Sequence, residues 1–181
     1  MARVTGIVLA AGAGTRAGGP KALRVDDDGM PWLHRCVAAL RAGGCADVVV
    51  VLGAEAGRAR ALTPADARIV EAADWADGLS ASLEAGLAAA QGDAAVITLV
   101  DLPGLPAEAV TRILAPPLDA AVLRRATYRG RPGHPVLLGR DHWAAAAASA
   151  EGDRGAGRYL KAQGADEVEL SGLWDGDDAD L

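Results

Sequence analysis

The stretch "LAAGAGTRAGGPKAL" (9–23) crowds glycines around one arginine, Arg16, and one lysine, Lys21, directly after the apolar run "GIVL". Glycines let a ligand approach the backbone closely, and two cations in one loop call for an anion. A phosphate chain is the natural candidate. Far along the chain, "VITLVDLPGL" (96–105) ends an apolar run in a carboxylate, Asp101. That is a hard oxygen ligand of the kind a phosphate-bridging magnesium ion needs. Two further polar residues stand in glycine-rich turns, His134 in "GRPGHPVLL" (130–138) and Asp153 in "GDRGAG" (152–157).

Three phosphate machines use loops of this general kind. In a Walker-type loop, Gly14, Gly19 and Lys21 come near G-x-x-x-x-G-K-[ST]. There, however, Pro20 removes a needed backbone N–H, and Ala22 lacks the magnesium-binding hydroxyl. A dinucleotide fingerprint is met by Gly12, Gly14 and Ala17. Its ribose-binding acid should follow about 20 residues later, at the end of a second strand, and a helix pattern occupies that place. Pro20 also breaks the helix that should open behind the glycines. The third arrangement keeps the proline: a long glycine loop wraps a triphosphate, and Pro20 stiffens the segment that delivers Lys21.

These residues need a frame that brings them to one edge. Strand-like runs at 5–10, 46–53, 67–72, 94–100 and 119–126 alternate with helix-like patterns. In "PWLHRCVAALRAGG" (31–44), Trp32, Cys36, Val37 and Leu40 share a helical face, with Pro31 to open the helix and Gly43–Gly44 to close it. In "GLSASLEAGLAAAQG" (78–92), Leu79, Leu83 and Leu87 form another stripe. Nearly continuous apolar strands between helices predict one α/β domain, a Rossmann-like three-layer sandwich on a mostly parallel, mixed sheet. Strands at 134–139 and 166–170 and helices at 140–152 and 158–164 complete it, and the acidic tail over 175–181 is expected to fray. Asp101 then lies at the carboxyl end of a central strand, where open α/β sheets bind ligands.

The unbroken run from Leu9 to Leu23 resembles the "LAAGxGTRxGxPK" signature of sugar-nucleotide and MobA-like nucleotidyltransferases. Further likenesses point to molybdenum cofactor cytidylyltransferases. "DWADGLSASLEAGL" (74–87) resembles their W-x-x-G-x-S-x-S-L segment, "GRPGHPVLL" their G-x-x-G-H-P-V element, and "GDRGAG" their G-D-x-G-A-R loop. The matches run from residue 4 to about 160 in the expected order. The resemblance implies a magnesium-dependent transfer of a nucleotide from CTP or GTP to the phosphate of molybdopterin, with pyrophosphate leaving. It implies a nucleotide cradle of Leu9, Ala10, Ala11, Gly12, Gly14, Thr15, Arg16, Lys21, Gly78 and Ser80. Arg16, Lys21 and Asp101 would be catalytic, with Asp101 on the metal and His134 and Asp153 at the acceptor. A molybdenum hydroxylase of the xanthine dehydrogenase type is the implied recipient of the product. A guanylyltransferase, a sugar- or polyol-phosphate nucleotidyltransferase and a non-catalytic cofactor-delivery module are the alternatives.

The chain departs from the family at three places. Gly157 stands where the third motif has its arginine, leaving Arg158 one residue late. Asp26, Asp27 and Asp28 crowd a turn, read as solvated, and the ending "DGDDADL" is only part of a longer acidic pattern. Ala11, where guanylyltransferases carry glycine, would crowd a purine, so CTP is the expected donor. Other chemistries are disfavoured by composition. A net charge of −6 over 181 residues argues against a nucleic-acid partner. No apolar run reaches the roughly 18 residues of a membrane span, and no leader-like segment opens the chain. Two cysteines, Cys36 and Cys45, make neither a disulfide framework nor a zinc site, so a reducing cytoplasm is the expected location.

Overall fold

Seven strands form one sheet among the described residues, 2–179, of the computed structural model. They are β1 (Val4–Ala10), β2 (Asp47–Leu52), β3 (Arg68–Glu71), β4 (Ala94–Leu99), β5 (Leu123–Tyr128), β6 (Arg131–Gly139) and β7 (Asp166–Glu169), in the order β3-β2-β1-β4-β6-β5-β7. β1 pairs in parallel with β2 and β4, and β6 runs antiparallel between β4 and β5. β1 is buried at every residue, as its apolar run requires for a strand covered on both faces. The edge strands "RIVE" and "DEVE" carry charges and stay half exposed, which discourages pairing with another chain.

Helices cover both faces. On one, α1 (Trp32–Ala42), α2 (Ala56–Arg60) and α4 (Ala107–Ile113) pack through Leu33, Cys36, Leu40, Ala59, Val110 and Ile113. On the other, α3 (Leu79–Ala89), α5 (Trp143–Ser149) and α6 (Gly157–Ala162) pack through Leu83, Leu87, Ala146 and Leu160. Leu33 and Leu40 are fully buried, and each such side chain contributes about 1.5–3 kcal/mol relative to exposure. No helix among the described residues is long and apolar enough to cross a membrane.

Several boundaries differ from the sequence expectation. The strand expected at 119–126 starts at Leu123, because Asp119 Oδ1 accepts from Ala121 N at 3.0 Å and bends 119–122 into a turn. β6 begins at Arg131, three residues earlier than expected, because it forms a hairpin with β5 around Arg129 and Gly130, both at positive φ. Glu169 caps that hairpin, accepting from Arg129 N at 3.1 Å and Gly130 N at 3.2 Å and from the Ser171 hydroxyl. The expected helix at 140–152 reduces to α5 behind one 3-10 turn.

The expected frayed tail over 175–181 makes contacts with the body of the domain as far as Ala179. The Trp174 ring meets Tyr128 edge-on at 5.6 Å, and Ala179 N donates to Asp101 O at 3.0 Å. Residues 180 and 181 of that expectation lie outside the described residues.

Candidate active site

The strand order places the loops after β1 and β4 side by side at the carboxyl edge of the sheet, joined where Val100 N donates to Leu9 O at 3.1 Å. The loop after β1 closes on itself. Gly14 O accepts from Ala17 N at 2.9 Å and Gly19 N at 3.0 Å, and Gly14 holds φ +58°. A Cβ on Gly14 would lie 1.9 Å from Gly19 O, so only glycine fits that crossing. Pro20, buried, then starts a 3-10 turn over Lys21–Leu23 whose Ala22 packs into the α1 side of the core.

That turn aims Lys21 at Asp101, and Nζ donates to Oδ2 at 2.8 Å with both side chains less than a quarter exposed. The other carboxylate oxygen, Asp101 Oδ1, is buried with no hydrogen-bond partner among the described residues. An orphaned anionic oxygen beside an ammonium is what a divalent cation would satisfy. No group of three or more metal-binding side chains occurs among the described residues. Asp101 is a hard oxygen donor at this edge, and a magnesium ion is commonly held by one or two carboxylates together with substrate phosphates and water.

Beneath Asp101 lies a residue whose part sequence reasoning missed. Cys36 was read only as a small core residue, yet its Sγ sits 3.7 Å from Leu99 O and 3.8 Å from Val100 O and Leu102 O. Burial, helped by the Asp101 charge, pushes its thiol up to about 12, so it stays a protonated donor under the turn.

The other expected residues gather on the α3 side. Gly78 (φ +106°) backs against Gly152, and Ser80 N donates to Gly152 O at 2.9 Å, bringing the Gly78–Ser80 and Gly152–Gly157 segments together. Neither Ser80 nor Ser82 caps α3, whose N-cap Gly78 has no side-chain partner, and Asp153 is exposed on the adjoining turn. His134 stands near the start of β6, half-buried. Burial pulls its imidazole down to about 4 against the pull of Asp101, so it is neutral at neutral pH. Arg16, Thr15 and Gly12 are exposed on the loop.

Three of the expected cradle residues, Leu9, Ala10 and Ala11, turn their side chains away from the loop. Leu9 turns its side chain away from the loop to line a cavity over the sheet, and Ala10 is buried in the opposite core. Ala11 is 2% exposed and packed in the α3-side core, so its methyl faces no ligand and gives no reason to prefer a pyrimidine. Arg158 is exposed, 3.9 Å from Glu151, at the displaced position its motif implied. The triple-aspartate turn is solvated, with Asp26 and Asp28 paired to Arg35.

Residues 6–168 match the family model of the MobA-like NTP transferase domain. A nicotine blue oxidoreductase of Paenarthrobacter nicotinovorans is 37% identical over 168 residues, covering 87% of this chain and 81% of that protein. A nucleotidyl transferase from Methanothermobacter shares the fold at a TM-score of 0.77, with 24% identity over 92% of this chain and 87% of its own. Rv0371c of Mycobacterium tuberculosis, solved in complex with manganese, superposes at a TM-score of 0.74, with 26% identity over 93% of this chain and 87% of its own.

Proposed function

From the chain's membership of the MobA-like NTP transferase domain family, we propose that it transfers a nucleotide from CTP to the phosphate of molybdopterin. An oxygen of the acceptor phosphate attacks the α-phosphorus, the bond from that phosphorus to the β-phosphate oxygen breaks, and pyrophosphate leaves in line. No protein nucleophile is required, so positioning and charge stabilisation carry the catalysis. The observation that carries this reading is Lys21 set against Asp101 at 2.8 Å, where the glycine loop meets the end of β4. Arg16 and the loop N–H groups bind the triphosphate, and Lys21 swings from Asp101 to a phosphate oxygen. Asp101, through its unpartnered Oδ1, holds Mg²⁺. That ion, when bound, offsets the charge of the reacting phosphates. Gly78 and Ser80 complete the nucleotide cradle, His134 and Asp153 meet the acceptor side, and a molybdenum hydroxylase in the cytoplasm takes the product. CTP is favoured as donor on the likeness of "DGLSASL" (77–83) alone, by about tenfold over GTP. Pyrophosphate release with purified molybdopterin, measured side by side for both triphosphates, tests the reading. Equal or faster use of GTP makes the chain a guanylyltransferase, and no release with either refutes the transferase.

A second reading is favoured by the relative named as an oxidoreductase and by the G-x-G-x-x-A spacing of Gly12, Gly14 and Ala17. A dinucleotide loop, however, needs a helix opening directly behind its glycines, and the first α-helix here begins at Trp32. Reduction of nicotine blue at the expense of a nicotinamide dinucleotide, and no pyrophosphate release, would establish this reading instead.

A further inference from the structure

Between the sheet and helices α3 and α6 lies a cavity of about 270 Å³. Its walls are apolar, built from Leu9, Leu83, Ile97, Val136 and Leu160, and its two polar side chains are His134 and Arg125. Arg125 stands on β5 opposite Val136. Its terminal nitrogen pairs with Glu167 on the neighbouring β7, while Nε is buried with no partner. A buried donor left unpaired is unfavourable, and an accepting ligand atom would satisfy it. The His134 ring nitrogens likewise have no hydrogen-bond partner among the described residues, whereas its carbonyl oxygen accepts from Tyr128 Oη at 2.6 Å.

The cavity and the triphosphate loop lie on different faces of β1. The Lys21 segment packs on the α1 side through Ala22, whereas Leu9 and Ile97 face α3. Two ligands are thereby kept on either side of Asp101. The volume is near the low end of small-molecule sites, about 300–1,000 Å³, enough for one fused ring system but not for a nucleotide. Apolar walls disfavour a charged group, and the guanidinium already has its counter-charge in Glu167.

Resting on the transferase reading and deepening it, we infer that this cavity holds the ring of the acceptor, an uncharged flat fused heterocycle whose ring carbonyl accepts from Arg125 Nε–H. Arg125 is then a specificity-determining residue, with Gly133 and Gly155–Gly157 in the cavity wall beside the ring. A guanidinium edge reads a ring carbonyl in this way where proteins recognise guanine.

Pterin, a fluorescent fused heterocycle with one ring carbonyl, is the probe. Titrated into the full chain it should bind, and Arg125→Met, which keeps the apolar bulk and removes the donors, should weaken it at least about tenfold. CTP binding in the presence of Mn²⁺ should be the same in both proteins. Leu79→Trp, enlarging a half-buried side chain of the cavity wall, should also block pterin and decides the matter if Arg125→Met does not fold. Absence of pterin binding to the wild type, or equal binding by a folded Arg125→Met, overturns the inference. Pterin binding that follows this pattern without pyrophosphate release leaves the pocket standing and removes the transferase. Turnover with CTP whose acceptor KM is unmoved in Arg125→Met does the reverse.

Discussion

Gly14→Ala separates the architecture of the glycine loop from its sequence. The added Cβ would lie 1.9 Å from Gly19 O, about 1.5 Å short of the 3.4 Å at which ordinary contact begins. The obstacle is backbone, so no side-chain rotation relieves it. The two arms of the loop must part by about that distance, breaking the bonds from Ala17 N and Gly19 N to Gly14 O. Alanine at φ +58° adds about 1–2 kcal/mol of left-handed strain. The two broken bonds add about 0.5–1.5 kcal/mol each, and at about 2–4 °C per kcal/mol for a chain of this size the melting temperature should drop by about 4–20 °C. Catalysis should suffer more. A displacement of about 1 Å in a positioning group costs about a hundredfold, so kcat/KM for the triphosphate should fall by that order.

Two neighbouring glycines supply the controls. Gly18 has φ +79° but open space around its Cβ position, so Gly18→Ala should lose only the strain part, about 1–2 kcal/mol, while keeping kcat/KM within about threefold. Gly12 has neither strain nor a neighbour within 4 Å, so Gly12→Ala should melt with the wild type and change only the KM for a ligand that approaches its backbone. Calorimetry and pyrophosphate-release kinetics on the three variants decide the matter. A Gly14→Ala enzyme with kcat/KM within about threefold of wild type would refute the reasoning that the closed loop is the cradle.

Asp101→Asn should keep the fold and lose roughly a hundredfold or more in turnover, the scale of one preorganised electrostatic element. Near wild-type rates at low Mg²⁺ would remove the metal assignment. Lys21→Ala takes away the ammonium on a largely buried carboxylate and should cost about 1–2 kcal/mol, between the exposed and buried extremes for ion pairs. A thermal shift with Mn²⁺ should recover that loss, and a melting temperature that Mn²⁺ leaves unchanged argues against a cation on Asp101. Hydrogen bonds from the Ser171 hydroxyl and backbone, and from the backbone N–H groups of Gly130 and Arg129, hold Glu169 down to about 2 from its ordinary 4.5. Its contribution is therefore fully present above pH 4.5 and is lost as pH falls through about 2. Acid unfolding should show the wild type more stable than Glu169→Gln near neutral pH and equal to it at the acid end.

Periodicity and order along the chain carried most of the architecture, since "TGIVLA", "DVVVVL" and "AAVITL" are apolar enough to be central strands whatever surrounds them. Short elements were not legible. The helix "AEAVTRI" has only seven residues, and its one signal was Pro106 at the N-cap before buried Ala109, Val110 and Ile113. At the site, the meeting of Lys21 with Asp101 followed from both ending strands at one sheet edge. The parts played by Arg125, Leu9 and Cys36 did not, because each depends on a strand register or helix packing that brings distant residues together. The misjudged methyl of Ala11 has the same origin. A residue in a binding motif can turn its side chain to the core and present only backbone to the ligand.

The hairpin of β5 and β6 has a consequence for how such a protein diversifies. Because β6 runs against the parallel strands, its beginning, and not its end, reaches the edge where Asp101 stands. The tip at Arg129–Gly130 is exposed and tied down by Glu169, so insertions there would extend the acceptor wall without entering the sheet. The loop that cradles the triphosphate hangs from β1, in the parallel half, and shares no segment with the hairpin. On the proposed transferase reading, donor and acceptor recognition are then separable modules on one scaffold. Mutational drift, or a library built at the tip, can exchange one acceptor for another while the phosphate chemistry stays in place.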